Sequence, residues 1–292
     1  MKRYTIDGEI DIVKIAISRL KGFEENALRM HSNGYYVAYS GGKDSDCIRI
    51  LCQLAGVKHE LWHNHTTVDA PETVRYVRSI PEINISYPEI SMWDLIEKKG
   101  MPPTRIVRYC CQYLKENGSR DRFYVTGVRQ SESAKRADRK TVEIMGLPKE
   151  KRIIFTDDND INRRIIENCQ LKGRITLNPI VDWYDDDVWE FLNYYGCKSN
   201  PLYECGYKRI GCVGCPMAGA KGQLKEFNHY PKYKNLYIRA FDRMLKNPDR
   251  NSVFNWQSGE EVFNWWTSEK ADNFDIDGQV DLLDDFASEQ IN

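Results

Sequence analysis

No run of about 18 apolar residues occurs in the 292-residue chain, so no membrane-spanning helix is expected. The first residues, MKRYTIDGEIDIVKI, lack an apolar core and a small-residue cleavage site, so no export signal is expected either. Repeats at solenoid periods and low-complexity tracts are missing too. Net charge is nearly absent: 42 Lys and Arg stand against 43 Asp and Glu. That balance excludes a polycation built to coat nucleic acid, and 12% aromatics exclude an acidic disordered chain. Without an export signal, the nine cysteines are not expected to form a disulfide framework. Thiols, a metal or a cluster in a reducing cytoplasm fit better. None of the nine lies beyond Cys215. The length suits one large domain or two small ones, at roughly 100–200 residues each.

What is present reads as α/β. Ile10, Val13, Ala16, Ile17, Leu20, Phe23 and Ala27 predict one amphipathic helix over 9–30, stopped by Asn33-Gly34. Tyr35 to Tyr39 reads as a buried strand and 46–54 as a helix. Strand candidates at 60–63, 83–85 and 122–126 alternate with helix candidates at 71–80 and 93–98. Such alternation predicts a parallel sheet flanked by helices. Further β-pieces are expected at 152–155 and 174–177, a helix at 185–195, and a Cys- and Gly-rich loop at 203–222. Helices at 232–245 and 259–266 follow. The expected division is an N-terminal helix (1–34), a nucleotide domain (35–220) and a helical C-terminal module (221–292). After Lys270 that module holds seven acidic residues and no basic one, so its end reads as a solvated tail. Residues 101–174 carry 17 Lys and Arg against 10 Asp and Glu, either a solvated surface or a wall facing phosphates or nucleic acid.

The most informative string is Ser40-Gly41-Gly42-Lys43-Asp44-Ser45, between the first buried strand and a helix. Two glycines let the backbone turn tightly and approach a ligand. The loop then offers N–H groups and a helix N-terminus to an anion. Ser40 and Ser45 add hydroxyls, Lys43 a charge, and Asp44 a carboxylate for Mg²⁺ or for aligning the loop. The Walker A spacing is not met, because Asp44 follows Lys43. Cys110-Cys111 and Cys212-Val213-Gly214-Cys215 form a second constellation. Four thiolates suffice for a [4Fe–4S] cluster or a tetrahedral Zn²⁺. Unligated thiols or a redox pair remain the alternative. Cys205 can substitute for Cys110 or Cys111, while Cys47, Cys52, Cys169 and Cys197 read as small buried hydrophobes.

Together these strings resemble the phosphoadenosine-phosphosulfate reductase family of PP-loop proteins, from about Tyr35 to Met217. Ser40–Ser45 matches the PP-loop, and His65-Thr66-Thr67-Val68-Asp69-Ala70-Pro71-Glu72-Thr73 resembles the segment after the second strand. Arg108-Tyr109-Cys110-Cys111 with Lys115 resembles the double-cysteine motif. Thr126-Gly127-Val128-Arg129-Gln130-Ser131-Glu132-Ser133 with Arg136 resembles the Arg-and-Glu motif. Asn178 to Trp183 with Asp187-Val188-Trp189, then Asn200-Pro201-Leu202-Tyr203 and Gly211 to Pro216, complete the likeness.

The resemblance implies an adenine nucleotide alpha hydrolase-like fold: a parallel twisted sheet flanked by helices, with a helical C-terminal extension. It implies a nucleotide site of Tyr39, Ser40, Gly41, Gly42, Lys43, Asp44, Ser45, Thr66, Asp69, Gly127, Arg129 and Glu132. Lys43, Asp44, Ser45, Arg129 and Arg136 would be catalytic. Cys110, Cys111, Cys212 and Cys215 would hold [4Fe–4S]. The cofactors implied are ATP, or a sulfonucleotide in its place, with Mg²⁺.

Other readings stay open beside these. Arg129 and Arg136 can fork onto oxyanions or pair with Glu132 or Asp138. Asp69 and Glu72 can meet ribose or Mg²⁺ or simply start a helix. His63 and His65 can touch phosphate or be structural. Trp183 and Trp189 read as core rather than as a base platform. Tyr233, Tyr237, Phe241, Trp265 and Trp266 read as core, with single-strand stacking as the sharper alternative.

Reductases of this kind carry a nucleophilic cysteine in a Glu-Cys-Gly-Leu-His-type tail. Here Glu204-Cys205-Gly206 echoes it only in part, ahead of the CxxC. The pattern therefore resembles DNA phosphorothioation ATP pyrophosphatases and phage or mobile-element relatives. That implies cleavage of ATP to AMP and pyrophosphate, adenylylating an acceptor for sulfur transfer. The partners implied are a nucleotide, DNA or RNA, and a sulfur donor such as a cysteine desulfurase, with a homodimer as one assembly and no membrane. The alternatives are a phosphosulfate reductase using a thiol from elsewhere and a non-catalytic nucleotide switch.

Overall fold

In the computed structural model the described residues are 1–5, 8–115, 122–145, 174–248, 250 and 254–272. They divide into two compact units, Met1–Glu89 with Leu114–Gly211, and Ile90–Tyr113 with Cys212–Asn292. The strands are β1 (Lys2–Thr5), β2 (Gly8–Asp11), β3 (Tyr35–Ala38), β4 (His59–Asn64), β5 (Ile83–Ser86), β6 (Tyr124–Val125), β7 (Val142–Met145) and β8 (Arg174–Leu177). The first helices are α1 (Ile12–Gly22), α2 (Glu24–Met30), α3 (Lys43–Ala55), α4 (Pro71–Arg78), α5 (Met92–Lys99) and α6 (Tyr109–Leu114). Then come α7 (Asp185–Tyr194), α8 (Gly219–His229), α9 (Pro231–Lys246), α10 (Gly259–Trp266) and α11 (Glu269–Asp272).

The first unit is built on a six-stranded sheet in the order β5-β4-β3-β6-β8-β7. Its pairs are parallel except β7–β8, so the sheet is mixed and mostly parallel. Tyr35, Tyr36 and Val37 of β3 are all buried, as expected where a central parallel strand is covered on both faces. Ala16 and Leu20 of α1, Ile48 and Leu51 of α3, and Val188 and Phe191 of α7 close the core. Each large apolar side chain so buried contributes roughly 1.5–3 kcal/mol.

The helix expected over 9–30 is shorter and broken. Residues 8–11 pair with β1 instead. Asp11 caps α1 by accepting the N–H groups of Val13 and Lys14 at 3.1 and 3.3 Å, so the helix starts after it. The antiparallel edge strand β7 was not foreseen; only four residues long, it is too brief to show a clear period. The loop expected over 203–222 gives way to α8 at Gly219, where Ala220, Gln223 and Phe227 share a buried face. The strand expected at 152–155, Cys169 and the acidic tail after Asp272 lie outside the described residues.

In the second unit α9 and α10 bury Tyr237, Ala240, Phe241, Met244, Val262, Phe263 and Trp266. Residues 90–113 join this unit although sequence order sets them between two parts of the sheet unit. Trp93 meets Tyr237 edge-on at 4.9 Å, and Trp266 Nε1 donates to the Pro103 carbonyl at 2.6 Å.

Candidate active site

Strand β3 ends at Ala38 and α3 begins at Lys43, so the loop between them sits at the C-terminal edge of a parallel strand. Open α/β sheets bind ligands at such edges. Ser45 folds the loop onto itself: its hydroxyl donates to the Gly42 carbonyl at 2.7 Å and accepts the Gly42 N–H at 3.1 Å. Ser40 is exposed, and its hydroxyl lies 3.3 Å from that of Ser45. The Tyr39 hydroxyl donates to Asp46 at 2.5 Å; Tyr76 donates to the same carboxylate at 2.9 Å. Burial pushes the Asp46 pKa up to about 6, against the lowering pull of these two hydrogen bonds.

Lys43 and Arg129 are 5% and 2% exposed, so both cations are buried at the loop. Arg129 Nε donates to Asp44 at 2.7 Å and its Nη2 to Asp185 at 2.8 Å. Lys43 Nζ lies 3.4 Å from Asp44 and 2.9 Å from Asp185. Two buried cations thus share two carboxylates. Burial raises the Asp44 pKa despite the lowering charges of Lys43 and Arg129. For Asp185 burial is the largest single influence and raises the pKa. Hydrogen bonds and charge from Lys43 and Arg129 together outweigh it, and the net shift is downward. Gly127 permits the assembly: a Cβ there would lie 2.9 Å from the carbonyl carbon, Cβ and oxygen of Asp44.

The remaining expected residues take supporting positions. Glu132 accepts the Arg129 N–H at 3.0 Å and pairs with Arg136. Arg136 is therefore engaged by Glu132, the pairing weighed as its alternative, whereas Arg129 reaches the loop. Asp69 accepts the N–H and hydroxyl of Thr66 at 2.7 and 2.8 Å, so this pair shapes the turn before α4. Trp183 is buried edge-on against Phe191 and is core. A cavity of about 160 Å³ opens beside the loop, lined among others by Tyr39, Ser40, His63, Asp69, Thr73 and Lys115.

Three residues of this site escaped the sequence reading. Asp185 bridges Lys43 and Arg129; it read only as an acidic helix start. The Tyr203 hydroxyl accepts the Lys43 N–H at 2.8 Å. Asn200 donates to the Gly41 carbonyl and the Thr73 hydroxyl, both at 3.1 Å. The Asn200–Tyr203 string is a visible signal, but nothing local says that it folds over residues 160 positions earlier.

Cys110, Cys111, Cys212 and Cys215 lie in the second unit. Cys110 and Cys111 start α6, and Cys212 and Cys215 flank a tight turn. None is in a disulfide. The Cys110 thiol is pushed well up by its hydrogen bond with Cys111, by burial, and by the charges of Cys111, Cys212 and Cys215. Cys110 thus interacts with the thiols of Cys111, Cys212 and Cys215, and four sulfur donors are the set that a [4Fe–4S] cluster or a tetrahedral Zn²⁺ takes. Among the described residues no three His, Cys, Asp or Glu side chains are grouped to hold a single metal ion. Gly214 shapes the turn at φ +76; a Cβ there would lie 2.5 Å from Phe227 Cζ. Cys205 is exposed and belongs to the first unit. Of the C-terminal aromatics, Tyr237, Phe241 and Trp266 are buried core. Among the described residues no helix is long and apolar enough to cross a membrane.

An uncharacterised protein of Methanocaldococcus jannaschii is 27% identical over 234 residues, covering 73% of this chain and 44% of its own length. The chain spans about half the length of the curated relatives it matches first. An adenosine 5′-phosphosulfate reductase of Rhodococcus erythropolis is 25% identical over 204 residues, 65% of this chain and 71% of that one. The solved phosphoadenylyl-sulfate reductase of Candida auris covers 72% of this chain and 96% of its own, at 16% identity and a TM-score of 0.45. A family model, the phosphoadenosine phosphosulfate reductase domain, matches residues 34–218, more than half of the sequence. The chain therefore belongs to the phosphoadenosine phosphosulfate reductase domain family.

Proposed function

We propose that this chain cleaves ATP between its α and β phosphates and adenylylates an acceptor oxygen for sulfur transfer. One observation carries the reading: two buried cations, Lys43 and Arg129, share the carboxylates of Asp44 and Asp185 at the start of α3. Such a charge set suits a polyphosphate with Mg²⁺. The phosphates would take over the cations, and the two carboxylates would turn to the ion, which binds through one or two carboxylates plus substrate phosphates.

In this reading the acceptor oxygen attacks the α-phosphorus and the Pα–O–Pβ bond breaks. Pyrophosphate leaves with the bonding electrons. Lys43, the hydroxyls of Ser40 and Ser45 and the N-terminus of α3 stabilise its growing charge. Arg129 steadies the α-phosphate. A sulfur nucleophile then displaces AMP. The acceptor class is a nucleic acid, DNA phosphorothioation being one instance, with a donor such as a cysteine desulfurase. Cys110, Cys111, Cys212 and Cys215 would hold a [4Fe–4S] cluster through their thiolates. Bound there, it supplies either a structural staple or a sulfur-handling centre. The proposed division of labour is a nucleotide domain over 35–220 and a helical module over 221–292.

A second reading is favoured by the likeness to adenosine 5′-phosphosulfate reductase. There the same loop would hold a sulfonucleotide, and a thiol from elsewhere would take the sulfonyl group. Anaerobic protein with Mg²⁺, given ATP or adenosine phosphosulfate in separate reactions, separates the two. AMP and pyrophosphate from ATP, lost in Ser45→Ala and Asp44→Ala, support the first. Sulfite released from the phosphosulfate in the presence of a dithiol, with ATP left intact, overturns it in favour of the second.

A further inference from the structure

His63, on β4, lines the cavity beside the loop and is 4% exposed. Its Nδ1 lies 3.0 Å from the Tyr39 carbonyl oxygen. A carbonyl oxygen only accepts, so Nδ1 carries the proton. In a neutral imidazole Nε2 is then an acceptor. Burial lowers the pKa of the ring, which favours its neutral form. Nε2 is buried, and among the described residues no group donates to it. A buried acceptor without a donor costs free energy, and a donor on a molecule held in the adjoining cavity would remove that cost. Asp69, the carboxylate on the same wall, already accepts from Thr66.

We propose that His63 Nε2 accepts a hydrogen bond from an N–H or O–H donor on the nucleoside part of the substrate, and thereby selects the nucleoside. The inference rests on the phosphate-loop reading above: with phosphates at Ser40–Ser45, the nucleoside falls in the cavity that shares Tyr39 and Ser40 with the loop. Two groups carry this chemistry, the exocyclic amine of the base and a ribose hydroxyl.

The test is equilibrium binding of Mg²⁺-ATP, Mg²⁺-ITP and the 2′- and 3′-deoxy forms of ATP to wild type, His63→Phe and His63→Gln. Inosine presents a carbonyl where adenosine presents the amine. Wild type is expected to bind one analogue class about tenfold more weakly than ATP, the scale of one hydrogen bond lost to a buried acceptor. Loss with ITP assigns the base amine; loss with a deoxy form assigns the ribose hydroxyl. His63→Phe should bring the affected ratio to within about twofold, and His63→Gln, which keeps an acceptor oxygen, should retain part of it. The ¹⁵N resonance of His63 Nε2 in wild type should also shift when ATP is added, a readout that needs no variant to fold. Equal wild-type affinity for all four nucleotides, or discrimination that survives in His63→Phe, overturns the proposal. Failure of wild type to bind any nucleotide overturns the phosphate-loop reading itself, and this one with it.

Discussion

Gly127 and His63 show what single atoms decide at this site. The Asp44 backbone occupies the space where any side chain at 127 would begin. Overpacking of this kind costs about 1–3 kcal/mol. Gly127→Ala should lower the thermal midpoint and weaken ATP binding about tenfold; an unchanged midpoint and affinity would contradict the placement of Asp44. His63 gives a pH signature. Burial is the main cause of its lowered pKa; His65 and Lys115 add to the lowering, and Asp69 and the Tyr39 carbonyl oppose it. A depressed folded pKa contributes stability that is present above the unfolded value of about 6.5 and lost as pH falls below it. Wild type should therefore lose stability relative to His63→Gln on acidification below about pH 6.5, in urea titrations at a series of pH values. Parallel profiles would show that the ring is not held neutral.

Among the elements, the turn over Pro201–Tyr203 clasps the start of α3. Asn200 is 1% exposed and its amide holds both the Gly41 carbonyl and Thr73. Asn200→Ala should cost about 2–3 kcal/mol, because two buried acceptors lose their donor. Tyr203→Phe should cost about 1 kcal/mol, because a single hydrogen bond is lost. Equal and negligible effects would mean that the turn does not brace the loop. These elements also mark how far the sequence could be read. The β3–loop–α3 run was legible because a buried strand, two glycines and a helix follow one another locally. Asp185, Asn200 and Tyr203 were not, because their roles depend on side chains arriving from remote segments. The helix over 9–30 failed for a local reason: Asp11 is a good cap, and apolar periodicity carries no information about a cap inside its span. The parallel sheet was legible from alternation, while β7 was too short to show it.

At the scale of the molecule, sequence order and structural units part company. Residues 90–113, with Cys110 and Cys111, fold with the C-terminal helices that follow Cys212 and Cys215. All four thiols thus belong to one unit, and iron bound there would tie α6 to the turn before α8. Protein purified without oxygen is expected to carry about four irons per chain, and Cys212→Ala to fall well below that. The variant's second unit should be cleaved faster in limited proteolysis while the sheet unit persists. A colourless wild type that binds stoichiometric Zn²⁺ instead would replace the cluster with a single ion. The decisive property is cleavage of ATP between its α and β phosphates at the loop of the sheet unit. It is tested most directly with ATP labelled on its γ-phosphorus, incubated with Mg²⁺ and the anaerobic protein together with a nucleic-acid acceptor. Label recovered as pyrophosphate, and lost in Asp44→Ala, is the expected result; label recovered as orthophosphate would place the cut between β and γ and contradict it.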